Sequence, residues 1–479
     1  MDRVGPTSNH GDSQGPSVDV RAPAVHAGPL SLEGMHGTIA VPHPRAGFWR
    51  QWRAFIGPAI LVSVGYMDPG NWGTSLAAGA EFRYGLLWVV GLASLMAIFM
   101  QVIAARLGVV TGKDLAQCCR DWYPRWTRWP NWLLCELAVC ACDLAEVLGS
   151  AVGINLMFHI PLVWAVVITS IDVLLLLALQ GYGMRTIESV VVVLIATIVV
   201  CYFIEIFVLP QTRPDFLEIG RALVSPHFRE PGMIYLAIAI IGATVMPHNL
   251  YLHSALVQSR KLQKDEASIR SAIRFNVIDS ITALSVAFLV NAAILVLAAL
   301  VFYGRTSVEA AGGRVIFFSP DSDWIRIAYL TLAPLLGTTL ASTLFVVALL
   351  ASGQSSTITG TLAGQVVMEG FMHWRIRPWL RRLITRALAI IPAVVIIGLR
   401  GDASVNDLLT LSQAVLALQL PFAMLPLLHF TSSRAKMGGW RNGWLLMAAG
   451  WGSALLITAL DVWGLPESLR SAWRVMVGG

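Results

Sequence analysis

The chain has 479 residues, of which 56% are hydrophobic and only 13% charged. Soluble domains carry roughly 25% charged residues, and half that share cannot cover the surface of a 52.0 kDa globule. These proportions exclude most soluble enzymes and predict a polytopic membrane protein with the lipid bilayer as its partner. The net charge of +6 is too small, in such a protein, to indicate a nucleic-acid-binding function. Basic residues concentrated in cytoplasmic loops account for it.

The first 46 residues differ in composition from the rest of the chain. They are rich in Gly, Pro, Ser and His and contain no apolar run. Such a segment cannot bury enough apolar surface to fold alone. We therefore expect residues 1–46 to form a disordered cytosolic tail.

Eleven later stretches are apolar and long enough to span a bilayer, which requires about 20 helical residues. Barrel strands would be about ten residues long with alternating polarity, so the stretches are predicted to be helices. Lys and Arg are about twice as frequent on one side of this threading as on the other, which places the amino terminus in the cytoplasm and the carboxyl terminus outside. We expect a membrane domain over residues 47–464 and a short extracytoplasmic tail over 465–479. The stretches are centred near 55–80, 85–110, 130–156, 160–180, 187–209, 232–258, 275–302, 326–351, 383–399, 407–430 and 442–463.

The first and sixth stretches are each interrupted near the middle by a short polar sequence. The first contains DPGN at 68–71, and the sixth contains MPHN at 246–249. Proline inside a helix removes a backbone donor and clashes with the preceding turn. Both helices are therefore predicted to break at mid-membrane, where irregular backbone is tolerated only when buried or lining a cavity. Matched breaks in two halves of a chain indicate the binding site of an inverted-repeat transporter, with spans 1–5 and 6–10 as the repeats.

The two interruptions carry donors that suit a divalent metal ion. Asp68 offers a carboxylate, Asn71 an amide oxygen and Met246 a thioether. The breaks also free main-chain carbonyls, such as those of Gly65 and Ala243. Oxygen donors suit Mg, Ca and Mn, whereas a thioether favours softer first-row ions. The mixed set indicates Mn²⁺ or Fe²⁺ as the substrate, with Co²⁺, Zn²⁺ and Cd²⁺ as competitors.

The third span carries three carboxylates, Glu136, Asp143 and Glu146, at spacings that place them within one stripe of a helix. Carboxylates inside a membrane are expensive unless hydrated, protonated or paired, and they commonly mark a proton path. The alternative is a set of buried carboxyl groups paired with arginine for helix packing.

Three further groups are candidates for the same path. His248 lies inside the second break and is either a proton relay, because histidine titrates near physiological pH, or a hydrogen-bonded core residue. Arg382 and Arg386 lie four residues apart at the inner end of the ninth span. They are either partners of the third-span carboxylates or plain positive-inside anchors.

Long stretches of the chain resemble the Nramp family of proton-coupled divalent-metal transporters. The two break sequences correspond to that family's signatures, and the resemblance covers about residues 48–463. It implies an all-α leucine-transporter-like fold, in which two inverted five-helix repeats are followed by an eleventh helix. It also implies metal uptake by alternating access, driven by an inward flow of protons. The matching stretches read GYMDPGNW, ARLGVVTGKDLAQ, CDLAEVLGSA, GATVMPHN, RRLITR and LSQAVLALQLPFA.

The resemblance assigns roles to individual positions. The metal ligands are expected to be Asp68, Asn71, Met246 and the Ala243 carbonyl, with the Gly65 carbonyl and Gln413 as ligands in particular conformations. Ser75 is a departure, because many members carry Asp at that position. The proton pathway is expected to comprise Asp68, Glu136, Asp143, Glu146, His248, Arg382 and Arg386. The residues expected beside the site are Gln101, Pro69, Gly70, Pro247 and Asn249.

Other functions remain open at this stage. A magnesium importer of the same fold is the nearest alternative, although Met246 argues against it. A metal channel is another, and it would accumulate its ion without a pH gradient. A sodium-coupled amino-acid transporter would present backbone N–H groups to a substrate carboxylate, which Asp68 would repel. An intramembrane metalloenzyme would need a sequence such as HExxH, and the chain contains neither HExxH nor GxSxG. We therefore expect no enzyme activity and no cofactor. We also expect the chain to act as a monomer in the cell membrane, which in a bacterium is the inner membrane.

Overall fold

The computed structural model describes residues 31–171, 184–208, 214–230, 232–263, 265–310, 314–317, 324–336, 339–374, 376–401 and 404–477. Most of these residues are helical. The helices are α1 (Phe48–Phe55), α2 (Pro58–Gly65), α3 (Pro69–Phe82), α4 (Leu87–Thr111), α5 (Leu115–Trp122), α6 (Arg128–Phe158), α7 (Leu162–Ile168), α8 (Met184–Phe203), α9 (Phe216–Leu223), α10 (Met233–Val245), α11 (Pro247–Leu256), α12 (Glu266–Val301), α13 (Trp324–Leu336), α14 (Thr339–Met372), α15 (Pro378–Arg400), α16 (Ser404–Ser432), α17 (Arg434–Met437) and α18 (Trp444–Val477).

Two short strand pairs accompany the helices in the described ranges. Strand β1 (Ile39–Ala40) pairs in parallel with β2 (Arg260–Lys261), which follows α11. Strands β3 (Ser307–Ala310) and β4 (Arg314–Phe317) form an antiparallel pair between α12 and α13. The helices therefore build the membrane domain, and the strands lie in its connections.

Both predicted breaks are present. Helix α2 ends at Gly65 and α3 begins at Pro69; α10 ends at Val245 and α11 begins at Pro247. Each proline occupies the first turn of the second half-helix, where its missing N–H would have no helical partner in any case. The interruptions thus end one helix and start the next rather than kinking a continuous one.

Nine described helical segments are long and apolar enough to cross a membrane by length and composition. The first predicted span is not among them because its break divides it into helices of 8 and 14 residues. The fourth is described only as α7 and the 3₁₀ turn Thr169–Ile171, and the rest of that span lies outside the described residues. The fifth is α8, which continues as a π-helical turn over Ile204–Val208.

The predicted eighth span, 326–351, is placed wrongly. The long helix is α14, which begins at Thr339 and continues to Met372, well beyond the expected end. Hydropathy underestimates this helix because its second half is rich in small polar residues. Those residues are buried among neighbouring helices and do not face lipid; they are Ser352, Ser355, Ser356, Thr357, Thr359 and Thr361.

The prediction of a disordered amino-terminal tail is wrong for the part that the structure describes. Residues 31–46 are not disordered, since Leu32 and Ile39 are buried against the helical domain; residues 1–30 lie outside the described ranges. At the other end, α18 continues to Val477, so residues 465–477 of the expected tail are helical. Hydropathy marks only the apolar part of that helix, whereas backbone hydrogen bonding continues through its polar extension.

The half-helices pack at the centre of the domain. Helix α3 contacts α6, α10, α12 and α16, and α6 runs along α14. Glycines allow the closest approaches: a Cβ added at Gly149 of α6 would collide with the ring of Pro69, and one at Gly242 would collide with the Gln413 carbonyl. The two breaks are therefore surrounded by four helices that contribute side chains to one buried region.

Candidate metal centre

Asp68 caps the N-terminus of α3. Its Oδ1 accepts hydrogen bonds from the Asn71 backbone N at 2.8 Å and from Asn71 Nδ2 at 2.7 Å. The side chain is fully buried, and Oδ2 has no hydrogen-bond partner within the described structure. Burying a carboxylate oxygen without a donor is costly. Oδ2 is consequently available to a cation.

The Asn71 amide joins the two breaks. Its Nδ2 lies 2.9 Å from the Ala243 carbonyl oxygen and 3.5 Å from that of Gly65, besides its bond to Asp68. Oxygens from both half-helix pairs therefore point towards one position. The NH₂ group of Asn71 occupies that position and donates its hydrogens to them. Rotation of the amide by half a turn would bring its acceptor oxygen to the same point. Oxygens of three predicted ligands, Asp68, Gly65 and Ala243, therefore surround the amide nitrogen of the fourth, Asn71.

Met246 brings a sulfur atom to the same region. Its backbone has φ +38°, a conformation that is rare for a residue with a side chain. Asn249 Nδ2 donates to Met246 Sδ at 3.4 Å, and a Cβ added at Gly65 would lie 3.2 Å from that sulfur. The thioether therefore faces the end of α2, and its strained backbone is held by the surrounding helices.

Gln413 of α16 is buried beside the first break. A Cβ added at Gly70 would collide with its side-chain amide, so the amide packs against the first turn of α3. Gln413 Nε2 donates to Ser412 Oγ at 2.9 Å, while Oε1 has no partner among the described residues. The predicted residue thus lies next to the donor cluster with an unused acceptor.

Gln101, predicted to lie beside the site, connects other groups. Its Nε2 donates to Tyr66 Oη at 2.7 Å, and its Oε1 lies 2.9 Å from His253 Nδ1. Tyr66 Oη in turn donates to the Val245 carbonyl at 3.4 Å. Gln101 therefore links residues next to both breaks through a buried hydrogen-bond chain.

Two residues of the centre were not predicted from the sequence. Asn291 of α12 donates to the Tyr66 carbonyl at 2.7 Å and to Asn71 Oδ1 at 3.4 Å. Thr244 Oγ1 donates to the same Asn71 oxygen at 3.5 Å. An amide deep inside the apolar seventh span was the available signal for Asn291, because polar residues within membranes usually face a functional interior.

Among the described residues, no group of three or more His, Cys, Asp or Glu side chains could hold a metal ion. The donors at the breaks are instead one carboxylate, main-chain carbonyls, amides and a thioether.

The predicted carboxylate stripe on α6 is paired with α15. Asp143 forms an ion pair with Arg382, and Arg382 Nη2 lies 3.4 Å from Glu146 Oε2. Arg386 Nη1 lies 3.8 Å from the same oxygen, which also accepts from Thr357 Oγ1 at 3.0 Å. The expected partnership of Arg382 and Arg386 with the third span is therefore present in the geometry.

Glu136 and His248, two other residues of the predicted proton pathway, have different surroundings. Glu136 pairs with Arg381, at 3.0 Å between Nη2 and Oε2; this arginine, the neighbour of Arg382, was not singled out in the sequence. His248 is buried in the second break, and neither ring nitrogen has a hydrogen-bond partner within the described structure. Its environment is unlike that of a hydrogen-bonded core histidine.

Two pairs of half-helices that meet at a buried polar centre define a membrane protein of the leucine-transporter-like class. The fold is shared with Mhp1, a nucleobase-cation-symport-1 family transporter, at a TM-score of 0.56 and 13% identity over 88% of this chain and 92% of that one. A likeness at this level of identity concerns the fold alone.

The family is more specific. Residues 59–467 match the sequence model of Nramp, described as natural resistance-associated macrophage protein-like, and the chain belongs to this family. It is 49% identical to a Nostoc protein named "Divalent metal cation transporter MntH", over 93% of this chain and 98% of that protein. A Listeria innocua protein of the same name is 46% identical, over 92% and 95%. The solved structure of a manganese transporter from Eremococcus coleocola has a TM-score of 0.82 and 40% identity, covering 92% of this chain and 91% of that one.

Proposed function

We propose that this protein carries divalent transition-metal cations, Mn²⁺ and also Fe²⁺, across the cell membrane by proton-driven alternating access. The similarity to proteins named divalent metal cation transporters supports the substrate class. The similarity to a structure named as a manganese transporter supports Mn²⁺. In this proposal the chain acts as a monomer with its amino terminus in the cytoplasm.

One observation carries the proposal: the convergence of oxygens on Asn71 Nδ2. Asp68 Oδ1, the Ala243 carbonyl and the Gly65 carbonyl all lie within 3.5 Å of this atom. A cation at this point would bind both halves of the fold. Its release would then depend on moving the half-helices apart, which is the requirement of alternating access.

Met246 supports a transition metal over magnesium. Mg²⁺ requires near-ideal octahedral oxygen geometry and gives up its water reluctantly. A thioether close to the oxygen cluster contributes nothing to Mg²⁺, but it favours softer ions. Magnesium import by the same fold is accordingly the main competing outcome of the test below.

The ion pairs between α6 and α15 support proton coupling. Asp143, Glu146, Arg382 and Arg386 are buried side by side, and buried ionisable chains of this kind serve as proton relays in transporters. The proton would enter with the metal, pass from Asp68 to the carboxylates of α6 and leave on the cytosolic side. The metal would leave by tilting of the two broken helices.

Uptake of radioactive Mn²⁺ into proteoliposomes, with and without an inward proton gradient, tests the proposal. Accumulation should increase with the gradient, and Fe²⁺ should compete far better than Mg²⁺. Equal competition by Mg²⁺ would indicate a magnesium importer. Accumulation that ignores the pH gradient would contradict proton coupling.

A further inference from the structure

Residues 31–46, here called the strap, cross the end of the helical domain at which α2 begins. The Leu32 backbone N–H donates to Glu369 Oε2 of α14 at 2.8 Å. The Gly37 N–H donates to the Gln258 carbonyl, just beyond α11, at 3.1 Å. The strap therefore bonds to two elements that are far apart in the sequence.

The middle of the strap is a strand with one buried and one exposed side chain. Ile39 pairs with Arg260 and Ala40 with Lys261 in the β1–β2 ladder. Ile39 is buried and Ala40 faces solvent. Next to this ladder, Val41 packs against the apolar cluster that contains Phe55 and Phe275.

Arg260 connects this ladder to the start of α2. Its buried guanidinium donates from Nε to the Ala54 carbonyl at 3.1 Å and from Nη2 to the Ile56 carbonyl at 2.6 Å. Its Nη1 forms an ion pair with Glu188 Oε1 of α8 at 2.9 Å. Arg260 therefore pairs with the strap through its backbone, and its side chain binds the segment that leads into α2.

A second anchor reaches α2 from α12. Asp279 Oδ2 accepts hydrogen bonds from the backbone N–H groups of Gly57 at 3.2 Å and Ala59 at 2.9 Å. The N-terminal end of α2 is therefore fixed to α12 directly and to α8 through Arg260, the residue that pairs with Ile39 of the strap. Opening the metal centre towards this end would require α2 to leave these contacts.

We propose that the strap is a latch that holds this end of the transporter closed and must detach before the site opens there. The latch rests on the alternating access proposed above. Its energetic contribution comes from the buried Ile39 side chain, the paired backbone and the bond to Glu369. Weakening these contacts should shift the population towards the state that is open at α2.

A thiol reporter tests the latch without any need for transport. Ala59→Cys places a cysteine on α2 at a position that is 1% exposed, and its reaction with a soluble maleimide is followed in purified protein. The same chains without Ala59→Cys provide the baseline for the native cysteines. Adding Ile39→Asp should make labelling about tenfold faster, the factor expected for losing one buried aliphatic contact. Ala40→Asp, the exposed neighbour in the same strand, should leave the rate unchanged.

Equal labelling rates in the Ile39→Asp and Ala40→Asp proteins would overturn the latch. If Ile39→Asp does not fold, deletion of residues 2–41 replaces it, with deletion of residues 2–30 as the matched control that keeps the strap. The expected difference is the same, and equal rates again overturn the proposal.

A cross-link tests the opposite change. The pair Ala40→Cys and Lys261→Cys joins facing positions of β1 and β2. Oxidation should slow Mn²⁺ uptake at least fivefold, and a reductant should restore it. Unchanged uptake on oxidation would overturn the latch, whereas a parent chain that takes up no Mn²⁺ would instead contradict the proposed function.

Discussion

Asn71 and Ala243 are hydrogen-bonded across the two halves of the fold, with 2.9 Å between Asn71 Nδ2 and the Ala243 carbonyl oxygen. The same nitrogen also donates to Asp68 Oδ1 at 2.7 Å. One amide group therefore contacts the end of α10 and the cap of α3 together. An ion bound at this point would couple the positions of the two broken helices.

The Asn71 amide should be the more sensitive of two neighbouring amides. Asn71→Ala should weaken Mn²⁺ binding at least tenfold, because it removes a donor oxygen and leaves carbonyls unpaired. Asn291→Ala should weaken it only severalfold, since Asn291 contacts Asn71 at 3.4 Å without joining the oxygen cluster. Isothermal titration calorimetry of both variants measures this order.

Asn276→Ala is the matched control for this pair. Asn276 lies on α12 like Asn291, but its Nδ2 donates to the Ala272 carbonyl of the same helix. A loss of Mn²⁺ affinity in the control as large as that in Asn71→Ala would contradict a specific role for the amide.

The Met246 sulfur should determine selectivity more than uptake. Met246→Ala and the better volume match Met246→Leu should both let Mg²⁺ and Ca²⁺ compete more strongly, while Mn²⁺ uptake falls less, because a hard ion gains nothing from a thioether. Competition in proteoliposomes measures the change. Met368→Leu, at a buried methionine near the end of α14, is the control. Unchanged competition by Mg²⁺ in both Met246 variants would show that the sulfur does not determine selectivity.

Gly70 should be required for the position of Gln413. In Gly70→Ala the added methyl group would collide with the Gln413 amide, and relieving such overpacking costs about 1–3 kcal/mol. Because the methyl group would displace the Gln413 amide from the site, Mn²⁺ affinity should also fall by about tenfold, which corresponds to about 1.4 kcal/mol. Gly398→Ala, where a Cβ would meet no atom within 4 Å, should bind Mn²⁺ normally. An unaffected Gly70→Ala protein would place Gln413 outside the binding site.

Asp143 should be required for proton transfer but not for metal binding. Asp143→Asn removes the ion-pair partner of Arg382, so metal-stimulated acidification of proteoliposomes should be lost or uncoupled while Mn²⁺ binding stays measurable. Breaking a buried pair costs about 3–5 kcal/mol of stability, so a thermal melt accompanies the assay. Intact acidification would count against the relay.

The positions of the two helix breaks could be predicted from the sequence because their determinants are local. Proline flanked by polar residues within an apolar run favours a break in a membrane helix, and the proposed ligands Asp68 and Met246 are next to those two prolines. The pairing of α6 with α15 was also predictable, since buried charges of opposite sign in a membrane must find each other.

The parts that the sequence did not predict depend on tertiary packing. Asn291 joins the centre only because α12 packs against α3, and no local pattern encodes that contact. Hydropathy does not predict the end of α14, because serines and threonines have the low hydropathy typical of a polar loop. In the structure these residues are buried between helices. The composition of the strap predicts disorder because its order depends on pairing with Arg260, far along the chain.

In the proposed function the metal passes through the break at Asp68, and this passage is measured by uptake of radioactive Mn²⁺ into proteoliposomes containing Asp68→Asn. Asp461→Asn, at a buried carboxylate of the last helix, serves as the matched control. We expect no uptake with Asp68→Asn and normal uptake with Asp461→Asn. Normal Mn²⁺ uptake by the Asp68→Asn protein would show that transport does not depend on this carboxylate.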